Sequence, residues 1–177
     1  MDNRNIDFDE IQKAMEDVER EAFDYFFDRV TGEVIILSSD ILRRAEHILG
    51  EDMDDDMGDY EEIEFDHLRD VPEWMEDEIE LALEIFLDGS ARYIRIPERD
   101  RTKAFSIMKE FLLQPIPEEL RADLQKALEG RGAFRRFKDL LDDYPKERKL
   151  WYGFNAHAVR EEIGQWLSGL ETEGRAD

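Results

Sequence analysis

The sequence predicts an α+β domain in which a small antiparallel or mixed sheet packs with about six helices. Short runs of aromatic and β-branched residues indicate strands, and longer segments with apolar residues three and four apart indicate helices. Their order, with a hairpin and two single strands set among helices, favours an α+β fold. We expect residues 1–170 to form one domain and residues 171–177 to be a frayed tail.

The chain opens with a predicted helix, which is followed by a predicted β-hairpin. Asp7 and Glu10 make a capping-box pattern at the start of the helix, whose apolar residues lie on one face. The runs 23–28 and 33–37 are rich in aromatic and β-branched residues, which favour strands. Gly32 lies between them and can adopt the positive φ that a hairpin turn requires.

A short helix follows the hairpin and leads into an acidic segment. Ser38, Ser39 or Asp40 can cap this helix, and we expect it to end at Gly50 because glycine commonly terminates helices. Residues 51–62 are highly acidic and show no apolar periodicity. We expect this segment to be a solvated surface loop.

Three aspartates of the acidic segment are the candidate metal ligands of the chain. Asp52, Asp54 and Asp56 alternate like the first ligands of a calcium-binding EF-hand loop. Gly58 and Glu64, however, each fall one position late for that motif. We therefore expect no metal site here and no bound cofactor elsewhere.

The remaining elements follow from the same patterns. Apolar periodicity and capping residues predict helices over 72–87, 100–113, 117–128 and 133–141, and a last helix that begins after a cap at Asn155. Alternation and aromatic content predict two short strands, over 91–96 and 149–154. These two strands would complete the sheet that the hairpin begins.

The charge distribution is strongly uneven. The formal net charge is −23, and residues 1–90 hold 31 of the 47 acidic residues but only 7 of the 24 Lys and Arg residues. An acidic surface repels phosphate backbones, so nucleic acid is a less favoured partner than a protein or a second copy of the chain. There is no cysteine, which excludes disulfides and thiolate chemistry. No apolar run is long enough to span a membrane, and we expect a cytoplasmic protein.

A basic and aromatic cluster at residues 130–138 is the most distinctive feature of this acidic chain. Arg131, Arg135, Arg136 and Lys138 lie within it, and three of them form a stripe opposite the apolar face of the predicted helix. Guanidinium groups bind carboxylates and phosphates, so we expect this surface to contact an anionic or acidic partner. The alternative is a solvated face with intramolecular ion pairs.

No catalytic motif stands out in the sequence. His47, His67 and His157 lie far apart, and no serine lies in a nucleophile-elbow or phosphate-loop setting. We therefore expect a non-catalytic binding or regulatory protein. Two alternatives stay open: a small hydrolase-like enzyme with carboxylates in a sheet groove, and an acidic mimic of nucleic acid that occupies a basic protein.

Several sequence segments together resemble a known family. These are the run 93–97, the Gly-Ala-Phe-Arg-Arg-Phe-Lys run at 132–138, the pair Trp151–Tyr152 and the pair Trp166–Leu167. Over roughly residues 20–170 the chain is similar to a bacterial uncharacterised protein family, catalogued as UPF 0158. The resemblance implies a bacterial cytosolic protein, and the family provides no catalytic residue or ligand to transfer.

Overall fold

The computed structural model describes residues 6–17, 19–54 and 71–173. Over these ranges it has seven helices and three strands, so the predicted α+β class is confirmed. The chain divides into two compact units, residues 1–97 and residues 98–177. The extent of a single domain over residues 1–170 stays a prediction. None of the described helices contains an apolar stretch of the length that a bilayer crossing requires.

The N-terminal unit contains all three described strands. Its elements are α1 (Phe8–Glu16), β1 (Phe23–Asp28), β2 (Val34–Ser38), α2 (Ser39–Asp54), α3 (Glu73–Leu87) and β3 (Tyr93–Arg95). The strands form an antiparallel sheet in the order β2-β1-β3, with Phe26 opposite Ile35 on one side and Arg95 on the other. The hairpin and the strand predicted over 91–96 are therefore confirmed.

The predicted signals at α1 and at the hairpin turn have the expected geometry. The Asp7 carboxylate accepts hydrogen bonds from the N–H groups of Asp9 and Glu10, which caps α1. Gly32 adopts a φ of +82°, and its N–H donates to the carbonyl of Asp28 across the turn. Glycine has no steric penalty in this conformation.

The helix after the hairpin is longer than predicted. α2 continues through Gly50 to Asp54, because a glycine inside a helix costs only about 1 kcal/mol relative to alanine and does not stop it. The first four residues of the predicted acidic loop are therefore helical, and residues 55–62 lie outside the described residues.

The core of the N-terminal unit lies between the sheet and the helices α2 and α3. Fully or nearly fully buried apolar residues from these elements form one contiguous cluster: Phe26, Leu37, Ile41, Ala45, Ile48, Val71, Ile79, Ala82, Leu83 and Ile85. Alternate residues of the strands supply its sheet side, which fixes the register of the hairpin.

The described secondary-structure elements of the C-terminal unit are all helices. Its elements are α4 (Arg101–Phe111), α5 (Glu118–Ala127), α6 (Ala133–Asp142) and α7 (Pro145–Glu173). A second core cluster joins them, with Met108, Phe111, Leu120, Leu124, Phe137, Leu141 and Trp151 among its most buried members. α7 includes residues 171–173 of the predicted tail, and residues 174–177 lie outside the described residues.

The predicted strand over 149–154 was wrong, because this segment is part of α7. Pro145 occupies the first position of the helix, where its missing N–H costs nothing. Trp151 and Phe154 are three residues apart, and both rings contact Phe111, with centroids 5.2 and 5.7 Å away. The aromatic run is therefore one turn of an amphipathic helix, and the sheet has one single strand besides the hairpin instead of two.

Candidate functional site

The basic cluster lies at a tight turn between α5 and α6 and on the first turns of α6. Two glycines make this turn possible: Gly130 and Gly132 have φ values of +76° and +75°. Because side chains rarely tolerate such values, glycine is the natural residue at both positions. The N–H of Arg136 then donates to the carbonyl of Gly132 and begins the helix.

Arg136 differs from the rest of the cluster because its guanidinium donates hydrogen bonds to main-chain carbonyls, although the residue is exposed. Its Nη2 donates to the carbonyls of Ala127, at 3.0 Å, and Glu129, while Nη1 donates to the carbonyl of Arg131. These carbonyls belong to the last turn of α5 and the loop after it, where helix carbonyls lack intrahelical partners. One planar guanidinium thus closes the α5–α6 turn, which requires no external ligand.

The other three basic residues point away from the core. Arg131, Arg135 and Lys138 are all exposed. Arg135 has an ion pair with Asp139 at 3.6 Å, in which the two side chains are 89% and 64% exposed. Such a pair in water contributes little. Within the described part of the chain, the side chains of Arg131 and Lys138 make no ion pair. We call these three residues the basic stripe.

The opposite face of α6 provides its packing. Ala133, Phe137 and Leu141 are buried, and the Phe137 ring contacts Trp151 edge-on with centroids 4.9 Å apart. Phe134 is 38% exposed, and its ring is tilted against that of Phe105, with centroids 6.3 Å apart. α6 is therefore held by its apolar face, and the basic stripe is free of any packing role.

The other sequence candidates do not form a site within the described residues. His157 is exposed and lies 3.6 Å from Glu161, and His67 is outside the described residues. Asp52 and Asp54 lie in the last turn of α2, and Asp56 is outside the described residues. Over the ranges that the structure describes, no three His, Cys, Asp or Glu side chains are grouped as a metal site requires.

The sequence pattern did not reveal a charged network around Asp28. Asp28 is 3% exposed and accepts hydrogen bonds from Arg92 Nη2 at 2.7 Å and from the N–H of Val30 at 2.7 Å. Burial acts to raise the pKa of Asp28, but the hydrogen bonds from Arg92, Val30 and Thr31 outweigh burial and lower it. Asp28 therefore stays ionised and joins the hairpin turn to the residue before β3.

Two groups beside Asp28 extend this network. The hydroxyl and N–H of Ser90 and the N–H of Tyr93 donate to Asp88, which lowers the pKa of Asp88 to about 2. The Tyr93 hydroxyl donates to Glu84 at 2.6 Å, and burial together with this hydrogen bond raises the pKa of Tyr93 to about 12. The shifted pKa values of Asp88 and Tyr93 both lie far from neutrality, so neither group is suited to exchange a proton at neutral pH.

A buried ion pair in the C-terminal unit was also missed. Arg99 lies 3.1 Å from Glu162, with side chains 9% and 17% exposed, and Arg99 Nη1 donates to Asn155 at 2.8 Å. Glu162 is 63 residues from Arg99, and no local pattern marks such a pair. The contact ties α7 to the segment that precedes α4.

Comparison with known proteins identifies the family but no activity. Residues 70–173 match the sequence model of an uncharacterised protein family (UPF0158), and the chain belongs to this family. It is 28% identical over 85 residues to a Pseudomonas aeruginosa protein named UPF0158 protein PA5073; these residues are 48% of this chain and 56% of the relative. The match thus spans little more than half of that relative. No solved structure matches the chain. The resemblance predicted from the sequence is confirmed.

Proposed function

We propose that this protein is a non-catalytic cytoplasmic binding or regulatory protein and that the basic stripe contacts an acidic partner. The observation that supports this most is that the side chains that hold α6 in place are different from the basic side chains on α6 and in the turn before it. Its apolar face and Arg136 provide the contacts that hold it in place, while Arg131, Arg135 and Lys138 project into solvent. Cations that contribute nothing to packing are available to a ligand.

The local charge also favours an anionic partner. Residues 98–177 hold 15 Lys and Arg against 16 Asp and Glu, whereas residues 1–97 hold 9 against 31. The basic stripe therefore belongs to a nearly neutral unit, and charges beyond about 8 Å are screened at physiological salt. A compact acidic patch on a protein can approach the stripe, whereas the net charge of −23 repels an extended polyanion at long range.

The stripe can be tested with a fluorescent acidic peptide, such as a labelled oligoglutamate, titrated with the purified protein at low and physiological salt. The test variant is Arg131→Glu with Arg135→Glu and Lys138→Glu, which leaves Arg136 in place. We expect its affinity to fall at least about tenfold, because rim charges set the electrostatic match to a partner. A labelled single-stranded RNA of similar charge distinguishes protein-like from nucleic-acid ligands.

A matched control carries the same change of charge elsewhere in the same unit. Arg101, Lys103 and Lys126 are exposed and lie on α4 and α5, so Arg101→Glu with Lys103→Glu and Lys126→Glu alters net charge without touching α6. The control should lose much less affinity than the stripe variant. Equal losses would mean that only net charge matters, and the proposal would then fail.

Different observations separate the two alternative functions, a hydrolase-like enzyme and a mimic of nucleic acid. A hydrolase-like enzyme would need a carboxyl group with a raised pKa, whereas Asp28 and Asp88 both have lowered pKa values. A mimic of nucleic acid would capture a basic protein through the acidic half of the chain. That partner would be displaced by DNA or RNA and would be retained by the stripe variant.

A further inference from the structure

An open groove lies along the first half of α7. The described residues that line it are Lys146, Lys149, Leu150, Gly153 and Phe154, and its volume is about 440 Å³. They are three or four residues apart, so they form one face of the helix. Phe154 is held by its contact with Phe111, at 5.7 Å. The groove thus combines an apolar floor with two lysines.

Gly153 leaves the backbone of α7 open at this groove. A Cβ placed on Gly153 would have no atom within 4 Å among the described residues, so packing within that part of the chain does not explain a glycine there. Glycine is less stable than alanine inside a helix, and one of its uses is to let another group approach the backbone closely. The lysines show no ion pair within the described residues, and Leu150 is 39% exposed.

An exposed stripe on α3, formed by Trp74, Asp77 and Glu78 and called here the Trp74 stripe, has a composition complementary to that of the α7 groove. Trp74 is 75% exposed, although buried tryptophan is the far commoner case. Asp77 and Glu78 follow it by three and four residues and are exposed, so they lie beside Trp74 on the same face of α3. No ion pair engages either carboxylate within the described part of the chain. Exposed tryptophans are strongly enriched at the centres of protein interfaces.

We propose that the α7 groove of one molecule receives the Trp74 stripe of a second molecule. The indole of Trp74 lies on Leu150 and Phe154, over the bare backbone at Gly153. Asp77 and Glu78 pair with Lys146 and Lys149 at the rim. Two carboxylates thus face two ammonium groups around the apolar contact of Trp74. This contact does not involve the basic stripe of α6, so it is independent of the function proposed above.

The net charge of the chain limits the strength of this association. Two molecules of charge −23 repel each other at long range, and salt screens that repulsion beyond about 8 Å at physiological ionic strength. The paired groups at the groove act at much shorter range. We therefore expect a reversible association that depends on concentration and is best measured near physiological salt.

Sedimentation velocity over a series of protein concentrations tests the proposal. The full chain should exceed its monomer mass of 21.0 kDa as concentration rises. Trp74→Ala should weaken the association about thirtyfold, as expected for an interface hot spot, and Lys146→Glu with Lys149→Glu should also weaken it. All three side chains are exposed, so both variants should fold normally. Leu113→Ala, at a residue that is 83% exposed and outside the groove, is the control and should associate like the unaltered chain.

Mixing the two variants gives the sharpest test. The Trp74→Ala protein keeps an intact groove, and the lysine variant keeps an intact Trp74 stripe. The mixture should therefore form a heterodimer at concentrations at which each variant alone associates only weakly. Gly153→Ala should weaken association, while Gly164→Ala, at another open helical glycine of α7, should not. A full chain that stays monomeric, or a mixture that forms no heterodimer, would overturn the proposal.

Discussion

Asp28 provides the most direct test of how the N-terminal unit is held together. Its carboxylate is buried at the end of β1, where it binds the guanidinium of Arg92 and the N–H groups of Val30 and Thr31 in the turn. One side chain thus orders the hairpin turn and connects it to the residue before β3. We predict that Asp28→Ala destabilises the unit far more than the loss of an exposed ion pair does.

The expected magnitude follows from the burial of the two partners. Removing one member of a buried ion pair costs about 3 to 5 kcal/mol. Arg92 is 35% exposed and can be partly rehydrated, which places Asp28→Ala near the lower limit, at about 3 kcal/mol. Asp28→Asn keeps an acceptor for the N–H of Val30 but loses the charge and puts an NH2 donor in place of the oxygen that accepts from Arg92 Nη2, so it should cost about 1 to 2 kcal/mol.

Urea unfolding followed by far-ultraviolet circular dichroism measures these differences. Arg43→Ala is the control, because Arg43 and its partner Asp40 are 74% and 80% exposed and this substitution should change stability by no more than about 0.5 kcal/mol. A cost below about 1 kcal/mol for Asp28→Ala would refute the structural role of this carboxylate. Equal costs for Ala and Asn would instead assign the effect to the contact with Arg92, with no share for the hydrogen bonds in the turn.

Three further predictions concern other contacts. Arg136→Ala should lower the free energy of unfolding in urea by about 1 to 2 kcal/mol. Arg136→Lys should not restore this stability, because an ammonium group lacks the planar guanidinium that reaches several carbonyls. Full stability of the lysine variant would contradict this geometry. Phe137→Ala should lower the free energy of unfolding by about 3 to 5 kcal/mol, and Phe134→Ala, at a partly exposed ring, should lower it clearly less. Similar losses for the two variants would contradict the burial of Phe137 on the apolar face of α6. The melting temperature should fall as the pH drops from about 4 towards 2. The lowered pKa values of Asp28 and Asp88 stabilise the fold above the ordinary value of 3.8, and this stabilisation is lost as each carboxylate is protonated. Asp88→Asn should make the fall in melting temperature smaller.

The elements that the sequence predicted well are those with short-range causes. A cap at Asp7 and a positive φ at Gly32 depend on residues within a few positions, so their geometry can be inferred without the rest of the chain. The same holds for the exposed face of α6, because its periodicity alone separates the basic stripe from the buried residues.

The segment 149–154 shows where such inference fails. Its aromatic composition favours a strand, yet its rings lie three residues apart and pack on Phe111, which is about 40 residues earlier in the chain. Tertiary packing therefore decided its conformation. Gly50 is a similar case at smaller scale, since a helix continues through glycine where the neighbouring turns are stabilised.

The role of Arg136 could not be predicted for a related reason. Its carbonyl partners lie at the end of α5 and in the following loop, and they converge only because two glycines reverse the chain. The pairing of Asp28 with Arg92 spans 64 residues and likewise leaves no local trace in the sequence. Periodicity predicts which face of a helix or strand a residue occupies. The contacts of Arg136 and Arg92 depend instead on which carbonyl or carboxylate a distant segment places next to them.

The number of basic residues overstates the basic surface available to a partner, because several arginines donate hydrogen bonds to main-chain carbonyls. Arg20 donates to the carbonyls of Ala14 and Ile96, and Arg121 donates to those of Gln114 and Ile116. Arg136 does the same at the end of α5, and in each case a planar guanidinium donates to carbonyls near the end of a helix or strand. The lysines of this chain cannot bridge carbonyls in that way. The basic stripe and the two groove lysines are therefore among the exposed cations left for an acidic partner. A partner that bound through Arg136 would first have to open the α5–α6 turn.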